Sequence, residues 1–183
     1  MTDGWKGILD DGETILWQGR PDGAVTVSIA NVATSLFGLA FAGFALFWMI
    51  MASQAGGFFW MFGLIHFTVG LGLTGGPMVW SAYRRRNTWY TLTDQRAFIA
   101  SSLPVRGKTL DSFPITEDTM LSLTEGPPDS LFFATRTRRT KNGTRQVKVG
   151  FERIEGGKDV YRMMRDVQKR HRQADREDGE MDR

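Results

Sequence analysis

The side chains able to do chemistry are few. There is no cysteine, and the two histidines, His66 and His171, stand far apart in the chain. Thiol catalysis, disulfides and thiolate metal sites are therefore excluded, and a zinc or iron centre would have to rest almost wholly on carboxylates. A nucleophilic serine needs a positioned base, which neither histidine is placed to supply. Gly107-Lys108-Thr109 has the letters that close a phosphate-binding loop, but Ser102 stands where the first glycine is required, and no strand-to-helix transition follows. The paired acids Glu117-Asp118 and Glu177-Asp178 sit in turn and tail contexts. The sequence reads as non-catalytic, with no cofactor and no metal.

What remains is charge. Arg136, Arg138, Arg139, Lys141, Arg145 and Lys148 cluster around Asn142-Gly143, a dipeptide that favours a tight hairpin turn. Such a hairpin presents several positive groups together. Three uses stay open: plain solubility, contact with anionic phospholipid, at about 1 kcal/mol per basic residue that reaches the headgroups, and contact with an acidic protein. Nucleic acid is not expected as a partner, because no reading helix or aromatic platform accompanies the charge.

The elements that carry this cluster are set by a strongly uneven distribution of polarity. Between Asp22 and Arg84 there is no Asp, Glu, Lys or Arg, and His66 is the only histidine. Residues 33–52 and 58–80 read as two membrane-spanning helices, since twenty apolar helical residues cover about 30 Å, the thickness of a bilayer core. The connection between them is short, so they are antiparallel neighbours and both chain ends lie on one side. Arg84, Arg85 and Arg86 follow the second helix directly, and by the positive-inside rule they place that side in the cytoplasm. Thr68, Gly72 and Gly76 recur every four residues and form a small-residue face suited to close packing against Gly38 and Ala42 of the first helix, or against another copy. Gly75-Gly76-Pro77 is expected to bend or end the second helix. Trp48, Trp60, Trp80 and Tyr83 suit the headgroup level. His66, at membrane depth, reads as a neutral histidine hydrogen-bonding within or between helices, with Thr68 or a neighbouring chain as candidate partner.

After the arginines the pattern turns to strands: 88–93, 96–101, 109–115, 120–123, 131–137 and 146–151, separated by turn-like stretches. Residues 159–173 then read as a helix with Val160, Met163, Met164 and Val167 on one face, fraying beyond Lys169 into a charged tail that includes His171. Ahead of the apolar region, residues 13–21 alternate around a strand ended by Gly and Pro, and 25–29 read as a further extended segment. Residues 1–32 thus contribute strands to a soluble domain completed by 81–173, with the hairpin of 33–80 inserted and 174–183 as tail.

These residues resemble the bacterial pleckstrin-homology-like (bPH) membrane proteins. The likeness is carried by Glu13-x-Ile15-Leu16-Trp17-x-Gly19-Arg20-Pro21, the helix pair, Tyr90-x-Leu92-Thr93-x-x-Arg96-Ala97-x-Ile99, and Phe151-x-x-Ile154 followed by Val160-Tyr161. It implies a roughly seven-stranded, partly open PH-like barrel capped by a C-terminal helix, in a multi-pass protein of a bacterial inner membrane with cytoplasmic termini. Arg96 is expected to brace the turn after β-strand 88–93 through Asp94 or another carboxylate, in preference to contacting a phosphate. Since the helices already supply attachment, the preferred function is a protein-interaction or assembly module with a protein partner or a second copy. The alternative is a module that binds membrane lipids at the inner leaflet.

Overall fold

Ile15, Leu16 and Trp17 lie in an extended segment that needs a hydrogen-bonding neighbour, and its partner lies some seventy residues on; the register shifts between Ile15 and Trp17, and Leu16 and Trp17 both pack against the core. In the computed structural model, which describes residues 3–26, 29–104, 106–140 and 143–181, β1 (Ile15–Gly19) pairs antiparallel with β2 (Thr88–Thr93), Gln18 opposite Thr91. The sheet continues through β3 (Arg96–Leu103) to β4 (Gly107–Pro114) in the order β1-β2-β3-β4. A second antiparallel sheet has the order β5-β6-β7, from β5 (Ser122–Thr124), β6 (Asp129–Thr140) and β7 (Gly143–Ile154). α3 (Gly157–Met181) follows.

The chain divides into two units: Met1–Asp22 with Arg85–Arg183, and Gly23–Arg84. The first is therefore built from two separated pieces of sequence. Its breaks fall at 22 and 84 rather than at 32 and 80, because the last turn of the second apolar helix carries Arg85 back into the strand-rich unit. Arg85 is buried, and its Nε donates to the Asp22 carbonyl oxygen at 3.0 Å. Asp22 in turn donates its backbone N–H to the Arg153 carbonyl (2.7 Å) and receives Arg153 Nη2 on its carboxylate (2.6 Å). The two points where the insertion leaves and rejoins this unit are thereby tied to the end of β7.

The core of this unit lies between the sheets and α3. Alternation in β2 sends Tyr90 and Leu92 inward, and spacing of four and three in α3 sends in Val160, Met164 and Val167, all essentially inaccessible. Phe151 is the hub: Tyr90, Phe133 and Trp17 lie 4.8, 5.1 and 5.3 Å from it, centroid to centroid. The expected face of α3 is the observed one, with Met163 at its edge. The helix does not fray at Lys169, however, but continues to Met181. Lys169 pairs with Asp166, Arg172 with Glu117, and Gln168 Nε2 donates to the Thr119 carbonyl at 2.7 Å, so this stretch is held although it lacks an apolar face. His171 is accordingly half-buried on the helix rather than in a loose tail, with its Nε2 enclosed.

In the second unit, α1 (Ile29–Gln54) and α2 (Phe62–Arg86) are joined through Gly56 and Gly57, both at positive φ (+79° and +74°), and a short 3₁₀ turn at Phe59–Met61. Both helices are long and apolar enough to cross a membrane, and only 17% and 11% of their most apolar stretches are buried. The sequence predicts an extended segment at 25–29. Residues 25 and 26 are irregular, α1 starts at Ile29, and the two residues between fall outside the described ones. Pro77 neither ends nor breaks α2, which runs nine residues further to Arg86.

Candidate interaction surface

A strand pair becomes a free-standing ribbon when its length outruns the sheet beside it. β6 and β7 are twelve residues each, whereas β5 covers only Ser130–Phe132 of β6. At the base Leu131, Phe133 and Phe151 are buried, and a β-bulge lies between Phe132 and Ala134. Gly150 sits at this bulge, where an added Cβ would collide with the Leu131 carbonyl oxygen and the Phe132 backbone. Beyond the base, residues 136–140 and 143–148 are exposed on both faces of the ribbon. The expected strands at 131–137 and 146–151 reach into this arm but stop short of its tip, which adds 138–140 and 143–145. Its outer residues are Thr, Arg, Gln and Val, which keep the strand paired although nothing covers them.

The arm carries the basic cluster. No Asp or Glu occurs between Asp129 and Glu152. Cross-strand partners share a face, so Arg136 (opposite Val147) and Arg138 (opposite Arg145) lie on one face, while Lys148 (opposite Thr135) and Arg139 (opposite Thr144) lie on the other. Lys141, the remaining member, lies outside the described residues. The six are thus not one patch but a ribbon charged on both sides. Arg136 is held: its guanidinium reaches Asp111 at 3.0 and 3.4 Å and lies over the Phe113 ring at 5.6 Å. Lys148 Nζ stands 5.6 Å over the Phe132 ring. Arg138 and Arg145 face each other directly, a like-charge pair that costs the ribbon about a few tenths of a kcal/mol or more.

The other expected site residues are distributed as follows. Gly38 and Ala42 are buried against α2, as expected of a close-packing face. The α2 side of that contact is a different stripe. A Cβ on Gly38 would stand 2.7 Å from the Gly70 carbonyl oxygen and the Thr74 nitrogen, and one on Gly70 would stand 2.7 Å from the Ala42 nitrogen. Ser35 Oγ donates to the Thr74 carbonyl at 2.6 Å. Gly72 and Gly76 have open space around them, and Thr68 is exposed with its hydroxyl donating to the Leu64 carbonyl. Thr68, Gly72 and Gly76 therefore do not form the α1–α2 contact. His66 does not engage Thr68 either. Its Nδ1 lies 3.3 Å from the Phe62 carbonyl oxygen, to which it donates in the tautomer protonated there, and its ring packs beside Phe41 and Phe62. Of the arginine trio, Arg84 and Arg86 are exposed and Arg85 is buried.

Arg96 meets carboxylates as the sequence predicts, but Glu13 and Asp10, which supply them, are not singled out by it. Glu13 is buried, and its carboxylate accepts from Arg96 Nε (3.1 Å), Arg96 Nη2 (2.9 Å), Thr93 Oγ1 (2.6 Å) and the Asp10 amide (2.9 Å). Arg96 Nη2 also bonds Asp10. Burial alone would raise the Glu13 pKa, but the hydrogen bonds from Arg96, Thr93 and Asp10, with the guanidinium charge, outweigh it and hold the carboxyl below its ordinary 4.5. The brace for Arg96 is thus Glu13 and Asp10, from the far N-terminal piece. Asp94 instead accepts from the Thr14 amide and hydroxyl, which overcome its desolvation and lower its pKa as well. The clue was present in Glu13, an acid at the mouth of an otherwise apolar strand. Among the described residues no group of three or more His, Asp or Glu side chains converges as a metal would need.

Comparison with protein-family models, with curated proteins and with solved structures gives no match for this chain.

Proposed function

We propose that this chain is a membrane-anchored, non-catalytic interaction module: a PH-like cytoplasmic domain, interrupted by a transmembrane hairpin in a bacterial inner membrane, that engages a protein partner through its basic arm. The observation that carries the reading is the arm itself, paired along its length, exposed on both faces and uniformly cationic. Stability does not require it, since the core is complete at its base.

The PH-like part of the reading is supported by a four-stranded and a three-stranded antiparallel sheet in sequential order, closed by a C-terminal helix. Membrane insertion is supported by the length, apolarity and exposure of α1 and α2. The absence of cysteine makes the orientation directly testable. A cysteine at Gln54 should react with an impermeant maleimide from outside the cell, and one at Thr137 only after permeabilisation. Co-purification from gently solubilised membranes, wild type against a variant neutralised at Arg136, Arg138, Arg139 and Lys141, then tests the arm. A stoichiometric protein lost in the variant supports the reading.

A second reading, binding of anionic phospholipid, is favoured by one observation: Arg138 and Arg145 oppose each other, an arrangement suited to sharing a phosphate. Selective anionic-lipid retention without a protein, lost on neutralisation, would replace the first reading by this one.

A further inference from the structure

β6 has an unpaired edge at the place where β5 stops. β5 pairs with Ser130–Phe132 only, and among the described residues no backbone hydrogen bond reaches residues 134–140 from that side. An open strand edge is a row of donors and acceptors ready to receive another extended chain. Beside it lies a groove of about 580 Å³ bordered by Asp118, Met120, Ser122, Phe132, Thr135 and Lys148, where the Asp118 carboxylate favours an apolar rather than an acidic residue of an occupant. Met120 is 88% exposed, more than any other large apolar side chain among the described residues of its unit. A thioether on a flexible stem adapts to varied apolar side chains.

We infer that the partner presents an extended, acidic segment with apolar residues among its carboxylates, which adds as a strand to the open edge of β6. This rests on the protein-interaction reading above and names its partner's chemistry. Backbone hydrogen bonds to residues 134–140 supply affinity that does not depend on side chains. An apolar residue near the base covers Met120 and Phe132. Further out, an added strand turns successive side chains to opposite faces, and the arm is cationic on both, with Arg138 on one and Arg139 and Lys148 on the other. Carboxylates on either side of the incoming strand are therefore matched. A second copy of the arm is a poor occupant, since edge-to-edge pairing would set Arg138 and Arg139 against their own kind. A bilayer surface satisfies the charges of one face only, and neither the edge nor the groove.

The test uses the full chain in phosphatidylcholine nanodiscs and a synthetic peptide of two valines flanked by consecutive glutamates, so that carboxylates face both sides of the strand, read by binding and by hydrogen exchange. The peptide is expected to bind and to slow exchange across residues 134–140. A lysine-for-glutamate peptide should not bind, nor should the acidic peptide N-methylated at alternate residues in either register. Met120→Ala, at an exposed site where folding is not at stake, should weaken binding about fivefold. The inference is overturned by an acidic peptide that leaves the exchange unchanged, or by N-methylated peptides that bind as well as the parent, which would leave attraction by charge alone. It is overturned equally if nanodiscs containing phosphatidylglycerol protect the same residues without peptide. Failure here leaves the membrane-anchored reading intact if an arm-dependent protein still co-purifies. Failure of the maleimide topology would sink that reading whatever the peptide does.

Discussion

Replacing Glu13 with glutamine should loosen the N-terminal strand, and the cost can be worked from its contacts. The carboxylate accepts four hydrogen bonds, two from one guanidinium. A glutamine keeps one oxygen, so its amide nitrogen must face donors that already point at that position. Hydrogen bonds to charged groups are worth about 1.5–3 kcal/mol each, and breaking a fully buried pair costs about 3–5 kcal/mol. Arg96 is 23% exposed and retains Asp10, which brings the expectation for Glu13→Gln down to about 2 kcal/mol and for Glu13→Ala to about 3 kcal/mol. Because Glu13 ties the chain just before β1 to Thr93 and Arg96 at the β2–β3 turn, the loss falls on local opening of β1. Hydrogen exchange at residues 15–19 should quicken about 30-fold for the glutamine variant. Glu117→Gln, which removes a surface pair with Arg172, should stay within about 0.5 kcal/mol. Exchange at β1 that is unchanged in Glu13→Gln would refute the account of this cluster as the clamp on the N-terminal piece.

Three further outcomes follow from the same geometry. Glu13 and Asp94 both have folded-state pKa values below their ordinary 4.5 and 3.8. Their contribution is complete above the unfolded values and is withdrawn as pH falls through the depressed folded ones, so the protection factors of β1, corrected for the slower intrinsic exchange in acid, should fall and the Glu13→Gln variant should lose much of that pH response. Gly70→Val drives a side chain into the Ala42 backbone and should lower the stability of the α1–α2 hairpin by about 1–3 kcal/mol, while Gly72→Val, with open space around it, should not, as read by denaturation in detergent. Met164→Ala empties a fully buried site on α3 and should cost about 2–4 kcal/mol, followed by Trp17 fluorescence through its contact with Phe151.

Which parts of this molecule were legible in the sequence follows from how far each physical signal reaches. The core face of α3 was legible because periodicity is local: Val160, Met164 and Val167 sit on one face whatever they pack against. The insertion was legible because a stretch as long as that between Asp22 and Arg84, with no formal charge, does not suit a surface in water. The α2 packing face was not. Five glycines between 63 and 76 offer several stripes, and each residue turns the helix by about 100°. Which stripe meets Gly38 and Ala42 is set by the fit of bulky neighbours such as Trp48 and Met49 against Gly63, a tertiary fact.

The same distinction governs the arm. Composition announced the positive charge, but not that Arg136 would be tied to Asp111 on β4, nor that the two faces of the ribbon would share the rest. A cluster counted along the chain looks like one surface, because spacing in sequence carries no register. Register places Arg138 against Arg145 and Arg139 against Thr144, and a one-residue slip would exchange the faces of one strand relative to the other. The bulge at Phe132–Ala134 and the side-chain-free Gly150 opposite fix that register at the base. A ribbon so aligned is charged on both faces and open along one edge, and a flat anionic surface could neutralise only one of those faces. An extended acidic chain lying along the edge reaches both, which is the physical reason for preferring a protein segment to a bilayer as the occupant of the arm.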